Sequence, residues 1–332
     1  MPTTLSPVQY VLRGVSQIFF VENSVSGLLI LVGLSFMDPR FAVLVMLGSM
    51  VQSIGGWFLG LREEVRHGLM GYNGALVGAA AGLYAGYTHV SVLLTIVGSF
   101  ACVAVHELTR ALFASSVLSR FSLPVSTAPF CIVAGLTFGA VGQLAEPGEL
   151  STSTDLAAGV SLGLFNSFSE VLLADGLVCG LLIVAALLLC SPAAAGFGVG
   201  GAAVALAVAT VVRGGVDETS SGLYGYSAVL VTIALGALLW TDRSWAVRVL
   251  GSFIGVVLTL LIQPLLALTP VPVFTWPFLL AMWLVLVGDH LLVSARRPVT
   301  SEAPDQTSVE PADRSIERDS DQSSASTSEN AQ

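Results

Sequence analysis

The chain contains no lysine, and all 13 of its basic side chains are arginine. The two residue types substitute for one another on exposed surfaces, so this absence reflects coding bias rather than mechanism. Charge of either sign is scarce. Only 11% of residues are charged, where a soluble domain carries about a quarter, while 54% are hydrophobic. The mean hydropathy is +0.84. A soluble globular fold is thereby excluded, and a polytopic helical membrane protein is expected. Cysteine is sparse too. Cys102, Cys131, Cys179 and Cys190 each lie in an apolar run without metal-ligand spacing, so they read as small buried hydrophobes, not disulfides or a metal site. No basic n-region or small-residue cleavage site opens the chain, and no signal peptide is expected. Ser-His-Asp arrangements, HExxH and Walker-type loops are missing. An enzyme would have no residues to work with, no cofactor is expected, and neither is a nucleic-acid partner.

What is present is apolar and duplicated. Apolar segments fall at 8–20, 25–37, 40–60, 69–86, 90–113 and 128–142, then at 156–173, 176–190, 193–212, 222–239, 245–268 and 276–293. Between the two sets, 143–155 (QLAEPGELSTSTD) has the composition of a linker. The reading is a first membrane repeat over 1–142, a second over 156–294, and a polar tail over 295–332. The tail holds four arginines and eight acidic residues; it cannot bury enough apolar surface to fold, and disorder is expected.

Three echoes fix the repeat. Gln17 in VSQIFFVEN is matched by Glu170 in FSEVLLADG, and Gly27-Leu28-Leu29-Ile30 returns unchanged as Gly180-Leu181-Leu182-Ile183. GLMGYNGALV (68–77) is matched by GLYGYSAVLV (222–231), and Thr127-Ala128-Pro129-Phe130 by Thr275-Trp276-Pro277-Phe278. A full crossing needs about 20 apolar residues, and the runs before Val21 and before Asp38 are shorter. With one half-spanning segment per copy, each copy crosses about five times and the second lies upside-down. Six full crossings would make the copies parallel. Short segments favour the inverted arrangement: an all-α fold of two inverted repeats, each with about five transmembrane helices plus a half-spanning re-entrant helix.

Pro129 and Pro277 are expected to break helices and to free the carbonyls of Val125 and Val273 as acceptors. Ser16, Ser26, Ser53 and Thr259 are expected to bond back to their own helices. His106, Glu107 and Arg110 are expected at the interface, as are Asp289 and His290, and the 62–67 cluster in solvent. Gln17 and Glu170 differ from these, because a buried amide or carboxyl costs several kcal/mol (roughly) unless it is bonded. In an inverted repeat they lie on opposite sides of the midplane, with Thr127 and Thr275 near the middle. Such a ladder of acceptors, without charge along its length, suits a small neutral solute bearing several N–H donors.

At these residues a resemblance becomes specific. LRGVSQ (12–17) with Phe20 and Asn23, GLMGYNGALVG (68–78), GLYGYSAVLV (222–231) and VFTWPF (273–278) resemble the urea transporter family, in its bacterial branch. The resemblance implies a homotrimer in the lipid bilayer of the bacterial inner membrane, each subunit with its own pore between inverted halves. It implies a filter in which Gln17 and Glu170 bind urea in the outer parts and Thr127 and Thr275 line the constriction. Phe20 and Val171 would wall the slot, and Leu76 and Leu230 would lie near the ladder. The second half departs from the family pattern. It carries Leu164-Phe165-Asn166 where an Arg-Gly pair is usual, and Ser227 opposite Asn73. Passive, downhill flux is expected, since no coupling-ion site is visible. Rival readings are a channel for another small neutral amide or amine or for ammonia, a proton-coupled transporter using Glu170, and a non-transporting scaffold. Arg296-Arg297 favours a cytoplasmic C-terminus, and an even number of crossings then places the N-terminus there too.

Overall fold

The computed structural model describes residues 6–144, 155–213 and 219–296. Most of the predicted linker and tail lie outside these. Among the described residues the regular structure is entirely helical.

The first half opens with α1 (Pro7–Ser16), where Ser6 and Gln9 form a capping box. A 3₁₀ turn follows over Gln17–Phe19, and Phe20 ends it in the left-handed region at φ 61°. Asn23 then caps α2 (Ser24–Met37), its Oδ1 accepting from the amides of Val25 and Ser26 at 2.8 and 3.0 Å. The chain bends by 76° between these helices. Asp38 caps α3 (Pro39–Phe58), and a short α4 (Arg62–Arg66) leads to α5 (Tyr72–Ala85), α6 (His89–Phe113) and α7 (Ala128–Val141).

The second half repeats this course. Here α8 (Leu156–Ser169) runs into a 3₁₀ turn over Glu170–Leu172, and Leu173 takes φ 56°. A bend of 79° leads to α9 (Leu177–Cys190). Then come α10 (Pro192–Arg213), α11 (Tyr226–Leu239), α12 (Trp245–Leu266) and α13 (Trp276–Arg296). The last seven residues of α11, Ile233–Leu239, are wound as a π-helix.

The backbone reproduces the sequence duplication where it is most constrained. Phe20 and Leu173, Gly68 and Gly222 (φ 77° and 81°), and Ser126 and Phe274 (φ 48° and 40°) are matched residues with positive φ. Non-glycine residues adopt such φ uncommonly, so recurrence at corresponding places reflects one template used twice.

Contacts between α2 and α9 give the relation of the two copies. The Ser26 hydroxyl donates to the carbonyl of Ala186 at 2.8 Å, while Gly33 lies against Cys179 and Leu182. Ser26 corresponds to Cys179 and Gly33 to Ala186. Each helix therefore meets its own counterpart head to tail, which requires a pseudo-twofold axis perpendicular to both. The halves are inverted.

Five helices (α3, α6, α10, α12 and α13) are long and apolar enough to cross a bilayer, and the two bent pairs add up to two more spans. Their outer faces expose Phe36, Phe58, Leu108, Phe100 and Leu189, as lipid-facing surfaces do. The interior is closed by Phe19, Phe130, Phe168 and Phe278, all fully buried.

Pro129 and Pro277 do not break helices. Each sits in the first turn of one, α7 or α13, where proline's missing N–H has no partner to lose. Nor are the Val125 and Val273 carbonyls freed: they accept from the amides of Ala128 and Trp276, both at 3.2 Å.

Candidate functional site

Gln17 and Glu170 each open a 3₁₀ turn at the end of a helix that stops short. The turns are built alike. Phe20 N donates to the Gln17 carbonyl and Val21 N to that of Ser16, as Leu173 N does to Glu170 and Ala174 N to Ser169. The Gln17 side chain donates Nε2–H to the His67 carbonyl at 2.8 Å. With its donor fixed there, its Oε1 is oriented as an acceptor. Glu170 is 7% exposed.

Thr127 and Thr275 meet. Their hydroxyls are 2.7 Å apart, and the Thr275 oxygen is also 3.1 Å from the Cys131 thiol. Matched residues from inverted halves can touch only at the pseudo-twofold axis, so this pair marks the midpoint of the molecule. Each threonine immediately precedes its helix, α7 or α13, and each is preceded by a residue of positive φ. A tyrosine holds that residue: Tyr72 Oη donates to the Ser126 carbonyl and Tyr226 Oη to the Phe274 carbonyl, both at 2.7 Å. Sequence reading passed over these tyrosines, although their place in the duplicated Gly-Tyr motif was a usable signal.

A cavity of ≈ 460 Å³ opens on the first half's side. Gln17, Phe20, Tyr72 and Ser126 line it, with His106, Glu22 and Glu64, and from the second half Ala234, Leu238 and Met282. Phe20 packs on Phe278 at 5.9 Å between ring centres, joining the turn of one half to α13 of the other. Val171 is buried and corresponds to Ile18; the residue matched to Phe20 is Leu173. Leu76 and Leu230 are fully buried.

Several expectations for polar groups change. Ser26 bonds across to α9 and Ser53 to the Met70 carbonyl, so neither serves its own helix. The single Ser16 hydroxyl proton faces the Val21 carbonyl at 2.6 Å and the Arg13 carbonyl at 3.0 Å, and its oxygen accepts from Asn23 N, so Ser16 also pins the turn. Only Thr259 of the four is purely local, bonding Val256 O. His106 is buried and lines the cavity, not the interface. Cys102, Cys131 and Cys179 are buried and free.

The departures in the second half have structural answers. Arg13 donates to the Arg66 carbonyl at 3.0 Å, and its counterpart Asn166 donates to the Ser220 carbonyl at the same distance. Asn73 accepts from Phe130 N at 3.1 Å and donates to Ser126 O at 3.3 Å. Ser227 is buried and makes neither bond.

An inverted duplication with paired bends, a polar pair at the two-fold axis and a cavity beside Gln17 defines a channel-like, multi-pass membrane protein. The sequence profile described as "Urea transporter" matches residues 8–290, and the chain belongs to the urea transporter family. Curated relatives include urea transporter 1 of Ovis aries and of Capra hircus. Each is 28% identical over 325 residues, covering 91% of this chain and 81% of theirs. Urea transporter 1 of Mus musculus is 28% identical over 305 residues, covering 86% and 78%. These relatives are all mammalian, where the sequence reading expects the bacterial branch. Among the described residues no cluster of side chains could hold a metal ion.

Proposed function

We propose that the chain is a passive urea channel of the bacterial inner membrane, a homotrimer with one pore per subunit and both termini cytoplasmic. The observation that carries the reading is the Thr127–Thr275 hydroxyl contact at the axis between halves. Each hydroxyl offers two lone pairs, so the pair forms the central rung of a ladder whose outer rungs are Gln17 and Glu170. Urea entering the slot gives up water, and these fixed oxygens take its N–H groups in turn. Phe20, Val171, Leu76 and Leu230 supply apolar walls that reward a flat solute and offer nothing to an ion. Each rung binds weakly, which lets the solute leave.

Stopped-flow urea flux into vesicles holding the purified protein tests this. Downhill flux is expected with no imposed pH gradient, lowered about fivefold by Thr275→Val. Flux that is absent, or that needs a pH gradient, would contradict it.

A further inference from the structure

The two tyrosine–carbonyl bonds are geometrically alike but unequally supported. In each half the residue before the threonine sits at φ 48° or 40°, a conformation that persists only where its surroundings enforce it. The buried Tyr72 and Tyr226 hydroxyls, at 2.7 Å, are the enforcing contacts on the carbonyls of Ser126 and Phe274. Rotation of either peptide would carry the next residue's hydroxyl away from its partner. On the first half's side a second donor, Asn73 Nδ2, reaches the same carbonyl at 3.3 Å, and Asn73 also ties down Phe130 N at the start of α7. On the second half's side the equivalent residue is Ser227, and the Tyr226 hydroxyl is the one side-chain donor on the Phe274 carbonyl among the described residues. Tyr226 therefore holds Phe274 without that support.

We propose that Tyr72 and Tyr226 are positioning residues for the threonine pair, and that the singly held Tyr226 latch sets how large a solute the constriction admits. This rests on the threonine pair being the constriction of a urea path. Loosening the Phe274 carbonyl lets Thr275 move off Thr127 and widens the slot. A bulkier amide then gains relative to urea, an effect that a general loss of folding would not produce.

The test is the ratio of urea to N-methylurea flux, by stopped flow, at equal protein in the vesicles. Tyr226→Phe is expected to lower the ratio about fivefold, the effect of one lost hydrogen bond, and Tyr72→Phe by less than about twofold, because Asn73 still holds the carbonyl. Tyr72→Phe combined with Asn73→Ser gives the first half the second half's weakness and should lower the ratio as far as Tyr226→Phe; it also serves if Tyr226→Phe is not recovered in the membrane. An unchanged ratio in both, equal effects of the two single tyrosine variants, or proportional loss of both fluxes would overturn the proposal. Thr275→Val separates the two levels. If it changes flux while the tyrosine variants leave the ratio alone, the latch fails and the filter stands. If Thr275→Val leaves both fluxes unchanged, the filter itself fails.

Discussion

The Gln17 turn and the Glu170 turn share a backbone and differ in their surroundings. On the Gln17 side, Arg13 pairs with Glu22 at 2.5 Å and Glu22 with His67 Nδ1 at 2.8 Å, and the His67 carbonyl holds Gln17. The corresponding positions on the Glu170 side are Asn166, Asp175 and Ser221. Aromatics are distributed in the opposite sense. Tyr84 stacks on Phe138 at 4.8 Å and reaches Phe274 at 5.9 Å, and Phe130 lies 5.0 Å from Phe274. The residue matched to Tyr84 is Leu238, which the π-wound end of α11 turns into the cavity beside Gln17. The duplicated fold thus keeps the turns, the threonine pair and the tyrosine–carbonyl bonds, and lets the surroundings of each turn diverge.

On the proposed function, that comparison is broken most severely at Glu170. Glu170→Leu leaves no acceptor and should reduce urea flux to the vesicle background. Glu170→Gln should keep most of it, because an amide already serves at the matched position in Gln17. Loss of flux in Glu170→Gln, with wild-type flux dependent on a pH gradient, would instead favour proton coupling.

Packing of the bends comes next. A Cβ on Gly27 would overlap the Leu12 carbonyl, and one on Gly180 the Phe165 carbonyl. Gly27→Ala and Gly180→Ala should each destabilise by about 1–3 kcal/mol, read as similar downward shifts of unfolding midpoint in detergent. A shift in one alone would mean that the two bends are not built alike.

The asymmetry beside the latches predicts a smaller contrast. Asn73→Ala should cost about 1–3 kcal/mol, leaving Phe130 N unpaired, while Ser227→Ala should cost less, because Ser227 holds neither the helix start nor the carbonyl. Equal costs in thermal unfolding would contradict the assignment. Smallest of all, Arg13→Asn should retain the bond to the Arg66 carbonyl, as Asn166 does with Ser220. Flux should stay within about twofold of wild type, since partly exposed ion pairs contribute little.

Much of this was legible in the sequence. The duplication, the helix segments and the pairs Gln17/Glu170 and Thr127/Thr275 follow from matched polar residues in apolar runs, which need no coordinates to find. The inversion was favoured by short segments and is shown by the antiparallel crossing of Ser26 and Gly33 with their counterparts. The prolines misled because the same missing N–H that breaks a helix also starts one. Only the chain's course before Pro129 and Pro277 decides between the two. Ser26, Ser53 and His106 misled for a related reason: a polar side chain's partner across the bundle leaves no mark in local spacing. The Gln17–Glu170 match already pairs Phe20 with Leu173 and Ile18 with Val171, and the shared left-handed φ of Phe20 and Leu173 agrees.

The central claim is that the halves share one midpoint, the hydroxyl pair of Thr127 and Thr275. It is tested most directly by a double-mutant cycle of stopped-flow urea flux on Thr127→Val, Thr275→Val and the double variant, at equal protein per vesicle. Since each hydroxyl is the other's partner, the single variants should each lower flux by a similar factor, about fivefold, and the double variant by little more than either. Independent, multiplying effects, or an effect confined to one threonine, would contradict a shared midpoint.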